Sequence, residues 1–351
     1  MKKKLFIYLY IIIFINPLAL RAFEEDDNPW VPDPIVHDPV IMKENDTYYL
    51  FSTGPGLCIW YSKDFKYWKR QGVVFKKPPK WSTDAIPSFK GEYWAPDISY
   101  YKGQYYLYYA VSVFGKNSSC IGLVTNKTLN PNNPDYKWVD RGKILQSIPK
   151  KNNWNAIDPQ LIVDDKGTPY MAFGSFWSGL QLVELRPDRM GLASNDPTII
   201  NIANRTKIKK TSNGITTVTT GNMAIEGAYI YKHGNYYYLF ASIDYCCRGA
   251  DSDYKVIIGR SKNIKGPYTD FSGNKMLEGG GSIIMKGNQN WYGVGHNSIF
   301  HENGKDYIVV HGYDANDPGN PPRLIIQEMI WEWPQLKIKD LPKSGIDLWE
   351  N

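Results

Sequence analysis

The pattern of apolar and polar positions repeats five times along the chain. Each repeat opens with a polar residue next to or near proline or glycine, continues in a short apolar run, turns, and returns in a second run rich in tyrosine. The turns carry Gly, Asn or Asp and lie at 43–46, 101–103, 164–167, 232–235 and 302–305. A turn of this composition between two β-rich runs predicts an antiparallel hairpin.

The polar residues that open the repeats are 59, 61, 68 and 70 positions apart, and they are Asp38, Asp97, Asp158, Glu226 and His296. Further strands are predicted after some hairpins, at 58–62 with 68–72 and at 255–261. About four strands in each repeat predict an all-β fold, a five-bladed β-propeller forming a single domain over residues 30–349. The connections at roughly 141–156 and 187–222 are interpreted as loops or insertions between blades.

The first strand of each blade of a propeller lines the central axis. The five opening residues are therefore expected to converge at one mouth of the axial channel, although they are far apart in the sequence.

Composition agrees with a β-rich fold. Aromatic residues make up 15% of the chain, with 26 Tyr and 12 Trp beside 30 Gly and 23 Pro, and this mixture disfavours a helical bundle. Hydrophobic residues make up 42%, which is enough for a large core and excludes a disordered chain. Most tyrosine pairs are interpreted as packing positions between blades.

The positive charge of the chain is concentrated at its N-terminus. The 41 Lys and Arg against 35 Asp and Glu give +6, but four of the cations lie in the first 22 residues, so 37 against 35 remain. A near-neutral chain does not favour a nucleic-acid partner. Lys2–Lys4, an apolar run over 5–15 and small residues up to Ala22 predict a secretory signal peptide over 1–22.

The alternative to a signal peptide is an uncleaved membrane anchor. The apolar run is about half the roughly 20 residues that a spanning helix needs, so we expect cleavage, export and no membrane association afterwards. The final compartment, periplasmic, cell-surface or extracellular, is left open.

The four cysteines, Cys58, Cys120, Cys246 and Cys247, lack the spacing of a metal-ligand motif. Export permits disulfides. The adjacent Cys246 and Cys247 could pair only in a strained ring, and free thiols are an equally good interpretation.

Four of the five opening residues are acidic. A single Asp before Pro is a common turn starter and is usually structural. Four carboxylates converging at one end of an axis would repel one another, which favours a functional role. Glycoside hydrolysis needs such a pair, one carboxyl protonated to donate to the leaving oxygen and one ionised to activate water.

The segments around these acids resemble the signatures of glycoside hydrolase family 43: Val36-His37-Asp38-Pro39, Tyr93-Trp94-Ala95-Pro96-Asp97, Ala156-Ile157-Asp158-Pro159 and Ala224-Ile225-Glu226-Gly227-Ala228. Two further segments narrow the resemblance to the endo-acting arabinanases of that family: Asp244-Tyr245-Cys246-Cys247-Arg248-Gly249 and Gly293-Val294-Gly295-His296-Asn297. The resemblance covers residues 30–335.

The resemblance implies a role for each acid. Asp38 corresponds to the general base, Glu226 to the general acid and Asp158 to the third carboxylate, which adjusts the pKa of the acid and orients it. Cleavage is expected to invert the anomeric configuration. His296 corresponds to the one protein ligand of a calcium ion, otherwise held by water, although calcium usually prefers oxygen ligands and a structural histidine is the alternative. For Asp97 we favour a structural or hydrogen-bonding role.

The resemblance also implies a substrate, arabinan or its oligosaccharides, cut at internal α-1,5 linkages. We expect a monomer, although the sequence does not reveal the oligomeric state. The alternatives are an exo-acting α-L-arabinofuranosidase or β-xylosidase of the same family, or a non-catalytic polysaccharide-binding propeller. The candidate substrate-binding residues lie on or next to the axial strands: His37, Trp94, Asn155, Ser175 and Trp177.

Overall fold

The computed structural model describes residues 29–211, 214–219, 222–317, 319, 321–333 and 336–342. The predicted signal peptide over 1–22 and the last part of the predicted domain, 343–349, lie outside the described residues. Their boundaries therefore stay predictions.

Antiparallel sheets arranged around a central axis build the fold. Blade 1 contains β1 (Val40–Glu44), β2 (Thr47–Ser52), β4 (Cys58–Ser62) and β5 (Lys69–Val73). Blade 2 contains β6 (Glu92–Tyr101), β7 (Gln104–Val111), β8 (Ser119–Asn126) and β9 (Val139–Ser147), with the short β3 (Gly54–Pro55) added beside β6. Blade 3 contains β10 (Gln160–Val163), β11 (Pro169–Phe173), β12 (Leu180–Glu184) and β13 (Ile200–Ala203).

Blade 4 follows a hairpin formed by β14 (Thr206–Thr211) and β15 (Gly214–Thr219). Its strands are β16 (Ile225–His233), β17 (Tyr236–Ile243), β18 (Lys255–Ser261) and β19 (Ser282–Lys286). Blade 5 contains β20 (Trp291–Glu302), β21 (Lys305–Asp314), β22 (Arg323–Ile330) and β23 (Lys337–Ile338). The predicted all-β, five-bladed β-propeller is confirmed.

Helical structure in the described part of the chain is short. The α-helix α1 spans Lys80–Ala85, and two single-turn 3-10 helices span Gly249–Asp251 and Met276–Glu278. None of the helices in the described residues has the length and apolar character needed to cross a membrane.

The tyrosine-rich second strands explain the aromatic content. Neighbouring residues of β7 point to opposite faces, so Tyr105, Leu107 and Tyr109 pack towards blade 1 while Tyr106 and Tyr108 pack towards blade 3. The other three core clusters lie in the same way between blades 3 and 4, 4 and 5, and 5 and 1. Neighbouring blades cover both faces of a blade, so a middle strand carries apolar side chains on both faces. This agrees with the interpretation of most tyrosine pairs as packing positions between blades.

The chain closes the ring where blade 5 meets blade 1. The backbone N–H of Val36 donates to Pro322 O over 3.0 Å, and that of Leu324 donates to Pro34 O over 3.0 Å. The ion pair between Lys43 and Glu302, 2.5 Å long, joins the two blades further along their strands.

The two predicted inter-blade insertions need correction. Much of the segment 141–156 is β9, the outer strand of blade 2. The segment 187–222 holds β13 as well as the β14–β15 hairpin. We missed β9 and β13 because each forms the outer edge of a blade, where one side is open to water and the apolar pattern is weak, whereas the β14–β15 hairpin is a separate two-stranded sheet between blades 3 and 4.

Candidate functional site

A residue with left-handed backbone stands at the head of the first strand of each blade. The φ angles are 52° at Asp38, 44° at Ala95, 56° at Asp158, 61° at Gly227 and 50° at His296. All five residues line a cavity on the axis. Of the five residues predicted to converge, Asp38, Asp97, Asp158 and His296 line this cavity, and a repeated local turn helps to bring them together.

Glu226 and Asp97 do not occupy the equivalent positions that the sequence repeat predicted. In β20, Gly295 pairs with His311 and the next paired residue is Ser298, so His296 and Asn297 form a bulge. Blades 2 and 4 have the same bulge in their first strands. Glu226 lies one residue before the left-handed Gly227 of blade 4, and Asp97 lies two residues after the left-handed Ala95 of blade 2. The repeat in the sequence predicted that all five residues are equivalent, because a bulge is visible only in the pairing of the strands.

Asp38 is buried and surrounded by histidines. Its Oδ1 lies 2.7 Å from His37 Nδ1 and 3.0 Å from His296 Nδ1, and Thr53 donates its hydroxyl to Oδ2 over 2.5 Å. Burial by itself would raise the pKa of Asp38. The electrostatic contacts with His296 and His37 and the hydrogen bond from His37 outweigh it and hold the pKa of Asp38 far below its ordinary value. Asp38 therefore remains an ionised carboxylate in this site.

His311 is a member of the site that sequence reasoning missed. It is fully buried in β21, and its Nδ1 accepts the backbone N–H of Asp38 over 3.1 Å. Its ring stacks on that of His37, with centroids 3.9 Å apart. Burial and the charge of His37 lower its pKa well below the usual range, so His311 is neutral and can accept this hydrogen bond. The sequence feature that could have identified His311 is a single histidine inside an apolar strand, but such a histidine is more often structural.

Glu226 is half-buried and held by two hydroxyl groups. Ser175 donates to its Oε2 over 2.7 Å, and Tyr254 donates to its Oε1 over 2.9 Å. Tyr254 is fully buried and was also missed, because its sequence surroundings do not differ from those of the many packing tyrosines. These two donors fix the plane of the carboxyl group.

Asp158 lies next to Glu226, and its Oδ2 accepts the backbone N–H of Gly227 over 3.1 Å. Burial raises its pKa well above the ordinary value, and the charges of Glu226 and Asp38 raise it further. Asp158 therefore retains its proton to a higher pH than an isolated aspartic acid does.

Trp177 lies on the loop that also carries Ser175. This loop follows β11 at the same mouth of the channel, and Phe176 N–H donates to Ile225 O over 2.9 Å, directly before Glu226. The Trp177 side chain is 37% exposed, which leaves an aromatic surface open next to the acids. Its predicted role in stacking on a sugar stays a prediction.

Trp94 and Asn155 have different surroundings. Trp94 is half-buried at the head of β6, directly before the left-handed Ala95. Asn155 is buried, and its side-chain oxygen accepts the hydroxyls of Ser119 over 2.6 Å and of Ser147 over 3.5 Å. This hydrogen-bonding supports the turn before Asp158, and the expected sugar contact of Asn155 stays a prediction.

Asp97 lies deeper in the channel. Its Oδ2 accepts the backbone N–H of Leu161 over 2.8 Å, which links blades 2 and 3. Burial raises the pKa of Asp97 to about 7. This geometry agrees with the structural, hydrogen-bonding role that we favoured.

The axial cavity also fits the calcium ion that the resemblance implies. Besides His296, it is lined by Asp97, Asp158 and Asn297. Both side-chain polar atoms of Asn297 are buried and have no hydrogen-bond partner among the described residues. Carboxylate and amide oxygens are the donors that calcium prefers, and the unpartnered amide indicates water or an ion in this cavity.

Cys246 and Cys247 form a disulfide between adjacent residues, which settles the pairing that the sequence left open. Cys58 and Cys120 are buried free thiols. The disulfide lies beside the site, because Cys247 Sγ is 3.5 Å from His37 Nε2.

The sequence of this chain is similar to those of two named enzymes. The chain is 47% identical over 310 residues to an extracellular exo-α-(1→5)-L-arabinofuranosidase of Cellvibrio japonicus, covering 87% of each chain. It is 40% identical over 306 residues to an extracellular endo-α-(1→5)-L-arabinanase of Bacillus subtilis, covering 86% of this chain and 87% of the relative.

A solved structure, an α-L-arabinanase of Cellvibrio cellulosa complexed with arabinohexaose, superposes with a TM-score of 0.79 at 43% identity, over 88% of this chain and 96% of that one. The model of the glycosyl hydrolases family 43 matches residues 27–334. The chain therefore belongs to glycosyl hydrolase family 43.

Proposed function

We propose that this protein is an exported hydrolase that cuts internal α-1,5-L-arabinofuranosidic linkages of arabinan with inversion of configuration. The observation that carries the proposal is the group of carboxylates at one mouth of the channel, in which the pKa values of Asp38 and Asp158 are moved in opposite directions. The names of the two relatives at 47% and 40% identity support arabinan as the polymer and export as the destination.

Asp38 acts as the general base in this proposal. Its carboxylate stays ionised because His37 and His296 contact it, so it can take a proton from water at the pH of an exported protein. Inversion requires that base and acid lie about 6.5–9.5 Å apart, with water between the base and the anomeric carbon. His37, which donates to Asp38, keeps the carboxylate oriented.

Glu226 acts as the general acid. It lies next to Asp158, whose pKa is raised by burial and by the charges of Glu226 and Asp38. Glu226 is more exposed than Asp158, so it is the carboxyl that can deliver the proton to the leaving oxygen. Ser175 and Tyr254 orient the carboxyl group for that transfer. Asp158 keeps the proton available and does not itself need to reach the substrate.

His296 and the oxygen atoms of the axial cavity are proposed to hold a calcium ion whose shell is completed by water. When bound, such an ion adds positive charge on the axis and so stabilises the neighbouring carboxylates. Asp97 and Asn297 supply the polar lining on this chain's side.

An exo-acting arabinofuranosidase is the second candidate. The observation in its favour is the name of the relative at 47% identity, which describes an exo enzyme. The catalytic residues would have the same roles, and the modes would differ in whether the cleft admits the polymer chain on both sides of the acids.

A time course of products from debranched arabinan tests the proposal and separates the two modes. The endo mode predicts a mixture of oligosaccharides at the earliest times, and the exo mode predicts one short product throughout. Absence of any product would contradict hydrolysis of arabinan and favour a binding propeller. The Asp38→Asn variant, which keeps the size of the side chain but removes the base, is the control for contaminating activity.

A further inference from the structure

The pair of adjacent cysteines has no role in the proposed hydrolysis, although it borders the site. Cys246 and Cys247 lie on the loop between β17 and β18, at the mouth of the channel where the acids converge. Cys247 is exposed and Cys246 is half-buried, so small molecules in solution reach the disulfide. Cys246 Sγ, Cys247 Sγ and His37 Nε2 all lie within 4.8 Å of one another.

We propose that these three residues form a metal site that reduction opens: the Cys246–Cys247 disulfide masks a site for a thiophilic divalent cation, which binds once the bond is broken. Two thiolates and an imidazole are ligands that favour Zn²⁺. A fourth position remains for water, since zinc takes four ligands.

The distance between sulfur and nitrogen fits zinc without movement of the loop. With Zn–S of about 2.3 Å and Zn–N of about 2.0 Å at a tetrahedral angle, sulfur and nitrogen lie about 3.5 Å apart. Cys247 Sγ and His37 Nε2 are 3.5 Å apart. His37 uses its other nitrogen, Nδ1, for Asp38 at 2.7 Å, so Nε2 is the nitrogen that faces the sulfur. A hydrogen bond from the second nitrogen to a carboxylate is the usual support for a metal-binding histidine.

The loop keeps its shape through hydrogen bonds that do not depend on the disulfide. Tyr245 N–H donates to Asp253 Oδ1 over 2.8 Å, and Arg248 N–H donates to Ser252 Oγ over 2.9 Å. The two sulfur atoms therefore stay beside His37 after reduction, separated only by rotation of their side chains.

The chemistry balances with a water-soluble phosphine as the reductant. The phosphine gives two electrons to the disulfide and takes the oxygen of one water molecule, which yields two thiols and a phosphine oxide. Binding of Zn²⁺ then displaces both thiol protons and the Nε2 proton of His37 into solution, while Nδ1–H stays on Asp38. In the occupied site the cation would lie beside His37 and the mouth of the channel, so we expect it to block the cleft and to inhibit hydrolysis.

Metal binding is measured first, without any assay of activity. The intact protein is titrated with Co²⁺ before and after phosphine treatment, and the thiolate-to-cobalt absorption band is recorded. We expect one equivalent in the reduced protein, displaced by Zn²⁺, and none in the oxidised protein. Cys246→Ser/Cys247→Ser should lose the band, whereas Cys120→Ala, which removes a buried thiol in β8, should keep it.

Two results would overturn the site. One is a reduced protein that binds no more cobalt than the double serine variant, and the other is equal binding by the oxidised protein. If the double variant does not fold, reduced wild-type protein alkylated with iodoacetamide replaces it as the protein without free thiols.

The inhibition part rests on the proposed function and is tested separately on arabinan. Half-inhibition of the reduced enzyme should need at least about 100-fold less Zn²⁺ than that of the oxidised enzyme. Binding without inhibition would contradict the blocking of the cleft but not the metal site. A protein without hydrolase activity would contradict the proposed function while the cobalt band still tested the site.

Discussion

Asp38 and Asp158 occupy equivalent left-handed positions in blades 1 and 3, with φ of 52° and 56°, yet their pKa values move in opposite directions. Both carboxyls are buried, so the difference comes from their neighbours. Histidines surround Asp38, whereas Asp158 faces the carboxylates of Glu226 and Asp38. One repeated backbone turn thus presents an ionised carboxylate and a protonated one at the same mouth of the channel.

Replacing Glu226 with Gln should reduce the hydrolysis of arabinan by about 10²–10⁴-fold, because the amide cannot supply a proton to the leaving sugar oxygen. The loss should be much smaller on an aryl arabino-oligosaccharide whose phenolate leaves without a proton. Initial rates on both substrates give this comparison, with Glu184→Gln on the outer part of blade 3 as the matched control. Equal losses on both substrates would remove Glu226 from the acid role.

Replacing Asp158 with Asn should shift the alkaline limb of the activity profile to lower pH. The proposed role of Asp158 is to adjust the pKa of the acid Glu226, and its own pKa is raised by burial and by the charges of Glu226 and Asp38. The amide carries no charge, so the proton of the remaining carboxyl is lost earlier. Profiles of kcat/KM against pH for both proteins test this, and an unchanged alkaline limb would contradict the coupling.

The raised pKa of Asp97 predicts that the stability difference between the wild type and an Asp97→Asn variant depends on pH. Burial raises its pKa to about 7 in the folded protein, against the usual value of 3.8. A raised pKa adds stability that is fully present below about pH 4 and is lost as the pH rises through 7. Relative to Asp97→Asn, the wild type should therefore lose about 4 kcal/mol of unfolding free energy between pH 4 and pH 8.

Denaturant unfolding at several pH values measures that difference, and a gap that does not change with pH would contradict the buried carboxyl. Asp97→Ala is the companion variant. It leaves the N–H of Leu161 without its acceptor and should be about 1–3 kcal/mol less stable than Asp97→Asn at every pH.

Removal of calcium should lower both the thermal midpoint and the activity, because the cation offsets the charge of the axial carboxylates. Dialysis against a chelator, followed by return of Ca²⁺ or Mg²⁺, is the measurement. We expect calcium to restore the wild type but not His296→Ala. A protein that keeps its midpoint and activity after metal removal, with metal content measured independently, would contradict the axial cation.

The architecture could be predicted from the sequence because each repeat has clear local patterns for strands and turns. Apolar runs, tyrosine-rich returns and Gly or Asn turns such as Asn45 define hairpins without tertiary information. The acids at the head of the repeats were recognisable for the same reason. The outer strands β9 and β13 were missed because half-exposed edge strands carry little apolar pattern.

Other features of the site depend on contacts that no single segment encodes. The bulges that displace Glu226 and Asp97 within the repeat are visible only in the pairing of the strands. His311 lies in the second strand of blade 5, and Tyr254 lies directly before the third strand of blade 4. Their residue types do not distinguish them from packing residues. The pKa difference between Asp38 and Asp158 arises from residues of other blades, such as His296 beside Asp38 and Glu226 beside Asp158.

The configuration of the first product tests the central claim most directly, because it reports whether water attacks opposite the leaving group with Asp38 as base and Glu226 as acid. Proton NMR of debranched arabinan, recorded within the first minutes of reaction and before mutarotation, distinguishes the two anomers. The account predicts that the new reducing end appears first as the β-anomer, inverted from the α-linkage. First appearance of the α-anomer would contradict it.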